Sequence, residues 1–308
     1  MRTLLRHPAA AYVLLLIPAA AWAGNHVVAR AAASQVPPAS LAVVRWSLLA
    51  ALIGMLTTEQ IQADWRRMRA HAGVLLFLGV VGAGVFGTLQ FVALKYTTAL
   101  NMGVVGSVSP AFIVLASFLL FGDRLGAVQL AGVGVSFLGV LAIVARLDPQ
   151  MLARLTFNSG DLIIIGNMSL WAIYSACVRM RPAIAPMSFM FAISVVALAV
   201  NVPFGIWELA SGLHLKPTPI TVVAILYSAL VTTLLAYVCW NKGIELVGAP
   251  RASAFLHTVP VFSALLATTI LGERLELYHL VGFALILAGV TLAARPRAGA
   301  IAEGEAVK

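Results

Sequence analysis

Charge is what this 308-residue chain has least of. Asp, Glu, Lys and Arg make up only 10% of it, against 61% hydrophobic residues, and the mean hydropathy is +0.99. A soluble domain needs about a quarter charged residues to cover its surface, so a soluble globular fold is excluded. Cysteine is nearly missing as well. Cys177 and Cys239 both lie inside apolar runs; two such residues define neither a disulfide framework nor a metal site, and both are expected to be reduced. No Gly-x-x-x-x-Gly-Lys-Ser/Thr loop is present, and neither is His-Glu-x-x-His or Gly-x-Ser-x-Gly. ATP hydrolysis and the common hydrolase chemistries therefore lack their signatures. With no paired acid and base at one depth, the chain is not expected to be an enzyme, and no cofactor is implied. Acids are also missing from the middles of the apolar runs: Glu59, Asp161, Glu208 and Glu245 all lie at run ends. Proton coupling through a mid-membrane carboxylate is poorly supported, which leaves uniport and coupling through histidine or the substrate's own charge both open. A net charge of +9 is present, but no basic stripe interleaved with aromatics exists to bind nucleic acid.

What the chain does have is long apolar runs. At about 20 residues per membrane span, ten fit: roughly 9–29, 38–57, 72–94, 98–121, 126–145, 161–180, 185–207, 219–241, 249–271 and 276–294. The longest polar connection, 58–71, carries Glu59, Asp64, Arg66, Arg67 and Arg69. Arg2, Arg6 and Ala21-Trp22-Ala23 imitate a signal peptide. The run nevertheless continues to Val28, and Trp22-Ala23 recurs in the interior as Trp171-Ala172, so retention is expected. With the N-terminus inside, inner segments hold thirteen Lys and Arg and outer ones six, Arg45 remaining within a span. The excess marks the cytoplasmic side, so both termini are expected there, in the cytoplasmic membrane.

The chain is also a duplication. Shifted by 150, residues 99–140 and 249–290 agree at 11 of 42 positions, including Pro110/Pro260, Gly122/Gly272, Arg124/Arg274 and Gly139/Gly289. The upstream parts match at a shift of 149, with Trp22-Ala23 and Arg30 against Trp171-Ala172 and Arg179. The expected architecture is all-α and integral to the membrane, with residues 1–146 as one five-helix repeat and 147–160 as a linker. Residues 161–295 form the second repeat, and 296–308 a cytoplasmic tail. Five is odd, so the second repeat enters the membrane inverted. Inverted repeats around a central cavity are a recurring plan of secondary transporters; a channel would favour a selectivity loop and symmetric oligomers.

Those motifs, with Pro37-Pro38 and Arg45, Gly122-Asp123-Arg124-Leu125 and Gly272-Glu273-Arg274-Leu275, resemble the drug/metabolite transporter superfamily. Within it the likeness is to the EamA-like branch of ten-span metabolite exporters, over about residues 9–295. The resemblance implies a ten-helix basket around a cavity lined chiefly by spans 1, 3, 4, 6, 8 and 9, with aromatic amino-acid exporters as the closest functional analogy. Span 7 has no arginine answering Arg45.

Helical spacing sorts the polar and aromatic residues into faces. Trp22, Asn25 and His26 share one on span 1, and Trp171 and Tyr174 share one on span 6. Gln90 on span 3 answers Tyr237 and Trp240 on span 8, with Asn101 at the entry to span 4. Gly103, Ser107 and Pro110 on span 4 match Ser253, His257 and Pro260 on span 9. A substrate cavity on the pseudo-symmetry axis would pair polar and aromatic positions in this way, whereas packing between helices explains the rings alone. The serines serve equally as bonds to the carbonyl one turn back. Gly87, four residues from Ala83 and eight from Gly79, is expected to permit close helix packing, and Pro110 and Pro260 to kink their helices. Arg45 reads as a structural anchor ahead of a ligand for a carboxylate. The partners implied are lipid and a small amphipathic metabolite, an aromatic or neutral amino acid first and a drug-like or cationic compound second. No oligomeric partner is read from the sequence.

Overall fold

The computed structural model describes residues 8–106, 108–123, 126–148, 150, 158–247, 252 and 254–293. Every regular element among them is helical, as a backbone that must satisfy its own polar groups in lipid requires. In chain order the α-helices are α1 (Pro8–Ala32), α2 (Pro38–Leu56), α3 (Thr58–Ala70), α4 (Ala72–Gly79), α5 (Phe86–Tyr96), α6 (Ala99–Gly106), α7 (Ser109–Phe121) and α8 (Ala127–Val144). Then come α9 (Ser159–Cys177), α10 (Pro186–Ala210), α11 (Pro219–Leu226), α12 (Ala236–Val247), α13 (Thr258–Leu271) and α14 (Leu277–Ala293). Five continuous stretches are long and apolar enough to cross a membrane: Pro38–Leu56, Ala72–Tyr96, Ser159–Met180, Pro186–Ala210 and Pro219–Val247. The pair α6 and α7, bent by 42° at its break, makes a sixth if taken as one span.

The duplication is visible in the backbone. Val80–Val85 joins α4 to α5 as π-helix, and Tyr227–Leu235 joins α11 to α12 in the same form. At a shift of 149 the first falls on 229–234, inside the second. Gly122 and Gly272 both adopt left-handed φ, 67° and 68°, just past the ends of α7 and α13. Only glycine takes that conformation freely, so the repeated glycine stops each helix at the same point.

Repeat mates pack antiparallel. α2 and α10 run against each other so that Gly54 lies beside Phe191 and Gly205 beside Val43. Each end of this pair is fastened by an acid, Glu208 of α10 at one and Asp64 of α3 at the other. The Glu208 carboxylate accepts from Ala39 N (3.1 Å), Ser40 N (2.7 Å) and Ser40 Oγ (2.8 Å), capping the start of α2. Asp64 Oδ2 accepts from Ala185 N (2.8 Å), just before α10. α8 and α14 cross in the same sense: Ser136 Oγ donates to Ile286 O (3.2 Å), Gly139 abuts Ile286, and Gly282 abuts Ile143.

The polar connection 58–71 is largely the helix α3, which buries Ile61, Asp64 and Met68 at spacings of three and four. The bend expected at Pro110 is present as the 42° break between α6 and α7, and near Pro260 a 3₁₀ turn interrupts the span. Pro110 is the second residue of α7, after the break, and Pro260 the third of α13, after a 3₁₀ turn at Ala254–His257. The first turn is where proline's missing N–H costs nothing.

Candidate functional site

The centre of the molecule is a cluster of rings drawn from both repeats. Trp22 on α1 meets Trp171 on α9 edge-on, with centroids 5.1 Å apart at 78°, and Trp240 on α12 at 5.6 Å. Trp171 is 5.7 Å from both Tyr237 and Trp240 and 5.2 Å from Tyr174. Tyr237 lies 6.5 Å from Trp22 and 6.1 Å from Tyr174. Phe86 completes the group, stacked on Trp171 at 4.8 Å. Sequence reasoning passed over Phe86, although it stands one helical turn before Gln90.

The π-helical segments hold these rings in place. Shifting to i→i+5 bonding leaves carbonyls without their usual partners, which is why such segments recur at functional sites. Tyr237 Oη donates to Gly82 O in the first and Trp22 Nε1 to Thr232 O (3.2 Å) in the second. Glycine is required where rings approach. A Cβ on Gly82 would stand 2.0 Å from the Tyr174 ring, and one on Gly24 2.1 Å from the Tyr227 hydroxyl, which bonds Ala21 O at 3.1 Å. Tyr174 Oη donates to Asn241 Oδ1 at 3.1 Å.

A cavity of about 40 Å³ borders the cluster, lined by Trp22, His26, Phe86, Gln90, Met168 and Trp171 among others. It has room for only a few waters, well short of a metabolite site. Asn25 stands behind Gln90, donating to Gln90 Oε1 (3.4 Å) and accepting from Thr232 Oγ1 (3.3 Å). His26 Nδ1 pairs with Ser263 Oγ at 3.0 Å, and Gly103 packs against the same serine. Trp240 Nε1 and Ser175 Oγ are buried with no hydrogen-bond partner among the described residues.

Not every candidate is here. Asn101 lies in a separate polar cluster, where its Nδ2 donates to Asp161 Oδ1 and Oδ2 (3.2 and 3.3 Å) and its Oδ1 faces His279 Nε2 (2.9 Å). His279 Nδ1 accepts from Glu276 N (3.0 Å), so Nε2 carries the proton and donates to Asn101. Thr97 Oγ1 donates to Asp161 Oδ1 at 2.6 Å. Nearby, the Glu273 carboxylate accepts from Ala99 N (3.1 Å) and Leu100 N (2.9 Å). Asp161 does lie at a helix end, as its sequence position says, yet it is only 2% exposed. Ser107 and Ser253 lie outside the described residues, as does the side chain of His257. No group of three His, Cys, Asp or Glu among the described residues is placed to hold a metal ion.

Arg45 is buried beside the ring cluster. Its guanidinium lies 4.9 Å from the Trp46 ring centroid and 5.9 Å from that of Phe91. Gly87 faces this guanidinium: a Cβ there would be 2.5 Å from Nη2. The small residue thus makes room for a cation, whereas Gly79, eight residues earlier, packs against Val196 as a contact between helices.

A model of the EamA-like transporter family matches this chain twice, over residues 9–145 and 158–295. The chain belongs to the EamA-like transporter family. It is thus a transporter and not an enzyme, and its apolar helices are those of an integral membrane protein. Among similar EamA-like chains, the uncharacterized transporter YyaM of Bacillus subtilis is 27% identical over 274 residues, 83% of this chain and 84% of its own. Proteins described as probable amino-acid metabolite efflux pumps, from Salmonella typhimurium and Escherichia coli, are 27% and 25% identical. Each match covers 90% of this chain and 92% of the relative. A solved crystal structure superposes with a TM-score of 0.61 over 93% of this chain and 97% of its own, at 20% identity, a likeness of fold alone.

Proposed function

We propose that this EamA-like protein is a secondary or facilitated transporter exporting small amphipathic metabolites, aromatic or neutral amino acids first among them, by alternating access. In this reading ten spans form two inverted repeats, 1–146 and 161–295, around a linker at 147–160. Both termini and the tail 296–308 face the cytoplasm, and the protein resides in the cytoplasmic membrane. The antiparallel packing of α2 with α10 and of α8 with α14 supports inversion, since mates related by an axis in the membrane plane run in opposite directions.

One observation carries the substrate reading: Trp22, Phe86 and Trp171, from both repeats, line one small cavity with His26 and Gln90, and Tyr174, Tyr237 and Trp240 pack behind them. Ring faces give broad, weakly directional contact while amides fix orientation, the means by which mostly apolar pockets select a ligand. Opening the cavity requires the halves to separate, which exposes Trp22 and Trp171 together. The same π faces suit cationic or drug-like compounds, and that is the second reading. Uptake of labelled phenylalanine into inverted vesicles tests the first. Trp171→Ala and Trp22→Ala variants present at normal levels are expected to lose about tenfold or more in uptake, a buried ring contact being worth on the order of 1.4 kcal/mol or more. Unchanged rates and apparent affinity in both would remove the aromatic site.

A further inference from the structure

Arg45 has no anion. Its side chain is only 3% exposed, yet no acidic residue among the described residues pairs with it, and neither Nε nor Nη2 has a hydrogen-bond partner there. A guanidinium stays charged at any physiological pH. Buried and unpaired, it is among the most costly arrangements a membrane protein can hold. The Trp46 and Phe91 faces offset part of that cost through the ring quadrupole, but they leave the N–H groups in the guanidinium plane unused.

The two unpartnered nitrogens are not an arbitrary pair. Nε–H and one Nη–H form the side edge of the guanidinium fork, and that edge matches the two oxygens of a carboxylate. Gly87 stands at the Nη2 end of this edge, and any larger residue there would occupy it. Gln90, one turn further along α5, lines the central cavity, and Tyr237 of the ring cluster lies within electrostatic range of Arg45. The guanidinium thus lies within electrostatic range of the ring cluster, behind a cavity wall that it does not itself line.

Asymmetry points the same way. At the repeat shift of 149, Arg45 falls on Ser194, whose hydroxyl turns back to Met190 O at 2.7 Å. A structural anchor required by the fold would be expected in both halves. A single cation at the repeat interface suits a ligand with one anionic end.

We propose that Arg45 is the counter-ion for the carboxylate of the transported metabolite, held bidentate through Nε and Nη2 beside Gly87, with the aromatic cluster taking the apolar end. This rests on the transporter reading above and narrows it: the substrate is a carboxylate-bearing zwitterion or acid, not an amine or a cationic drug.

The test compares ligands that differ only at that group. Purified wild type, Arg45→Gln and Gly87→Ala are assayed for thermal stabilisation by phenylalanine, phenylacetate and benzoate, and by the corresponding amides. Uptake of phenylalanine and phenylalaninamide is then measured in proteoliposomes. Wild type is expected to prefer each carboxylate over its amide by about tenfold or more, the effect of losing a charge-assisted bidentate pair. Arg45→Gln is expected to abolish the preference. Gly87→Ala keeps the cation and obstructs its edge, so it is expected to reduce the preference as well, and it serves if Arg45→Gln does not fold. A wild type indifferent to the carboxylate, or an Arg45→Gln protein that retains the preference, would overturn the proposal. If carboxylates stabilise wild type through Arg45 while phenylalanine is not taken up, the amino-acid reading fails and the role of Arg45 stands.

Discussion

Glu208 offers the sharpest test of how the halves are held together. Its carboxylate accepts from two backbone N–H groups and one hydroxyl in the first turn of α2, at 3.1, 2.7 and 2.8 Å. Ala39 and Ser40 are buried, so their N–H groups have little recourse to water. Glu208→Ala leaves two main-chain donors unsatisfied. At roughly 1–2 kcal/mol for each, as for a lost N-cap or a buried orphan donor, the cost is about 2–4 kcal/mol. Glu208→Gln retains one acceptor but turns an NH₂ towards a donor, and is expected to cost about half as much. For a chain of this size each kcal/mol lowers Tm by roughly 2 °C, so the alanine variant should melt about 4–8 °C lower and the glutamine variant between it and wild type. Scanning fluorimetry in one detergent, following tryptophan emission, gives all three values. An alanine variant within 1 °C of wild type would refute the view that α2 and α10 are fastened at this end by the carboxylate.

Two further outcomes follow from the packing. Gly82→Ala pushes a methyl to 2.0 Å from the Tyr174 ring and is expected to cost about 1–3 kcal/mol by overpacking, whereas Gly134→Ala meets nothing within 4 Å and should melt like wild type. In a background lacking Cys177 and Cys239, Ser136→Cys with Gly289→Cys should cross-link on mild oxidation, while Ser136→Cys with Leu277→Cys should not; the reverse result would contradict the antiparallel crossing of α8 and α14.

Much of this architecture was legible because it is periodic. The shift of 149 that pairs Trp22 with Trp171 also pairs the two π-helical segments, and helical spacing placed Trp171 with Tyr174 and Tyr237 with Trp240 on common faces. What escaped the sequence depends on partners far along the chain. Asn101 looks like any polar residue at a span entry until Asp161 and His279, 60 and 178 residues away, are brought to it. Gly87 belongs to a spacing-four series that normally signals backbone contact, but its neighbour is a guanidinium from α2, which no local pattern reveals. The helix α3 was obscured by composition: Arg66, Arg67 and Arg69 dominate its hydropathy, although Ile61, Asp64 and Met68 already marked a buried stripe. The prolines mark the breaks to within a turn, since Pro110 and Pro260 begin helical segments and the interruptions precede them.

The packed centre also has an electrical consequence. A membrane that stores energy as a proton gradient is discharged by any continuous file of water across it. Six interlocked rings, with Tyr237 and Trp22 clipped to carbonyls of opposite halves and only about 40 Å³ free beside them, interrupt such a file at its midpoint. On the alternating-access reading proposed above, the aromatic residues that greet a substrate would be the same ones that keep the membrane charged while none is present.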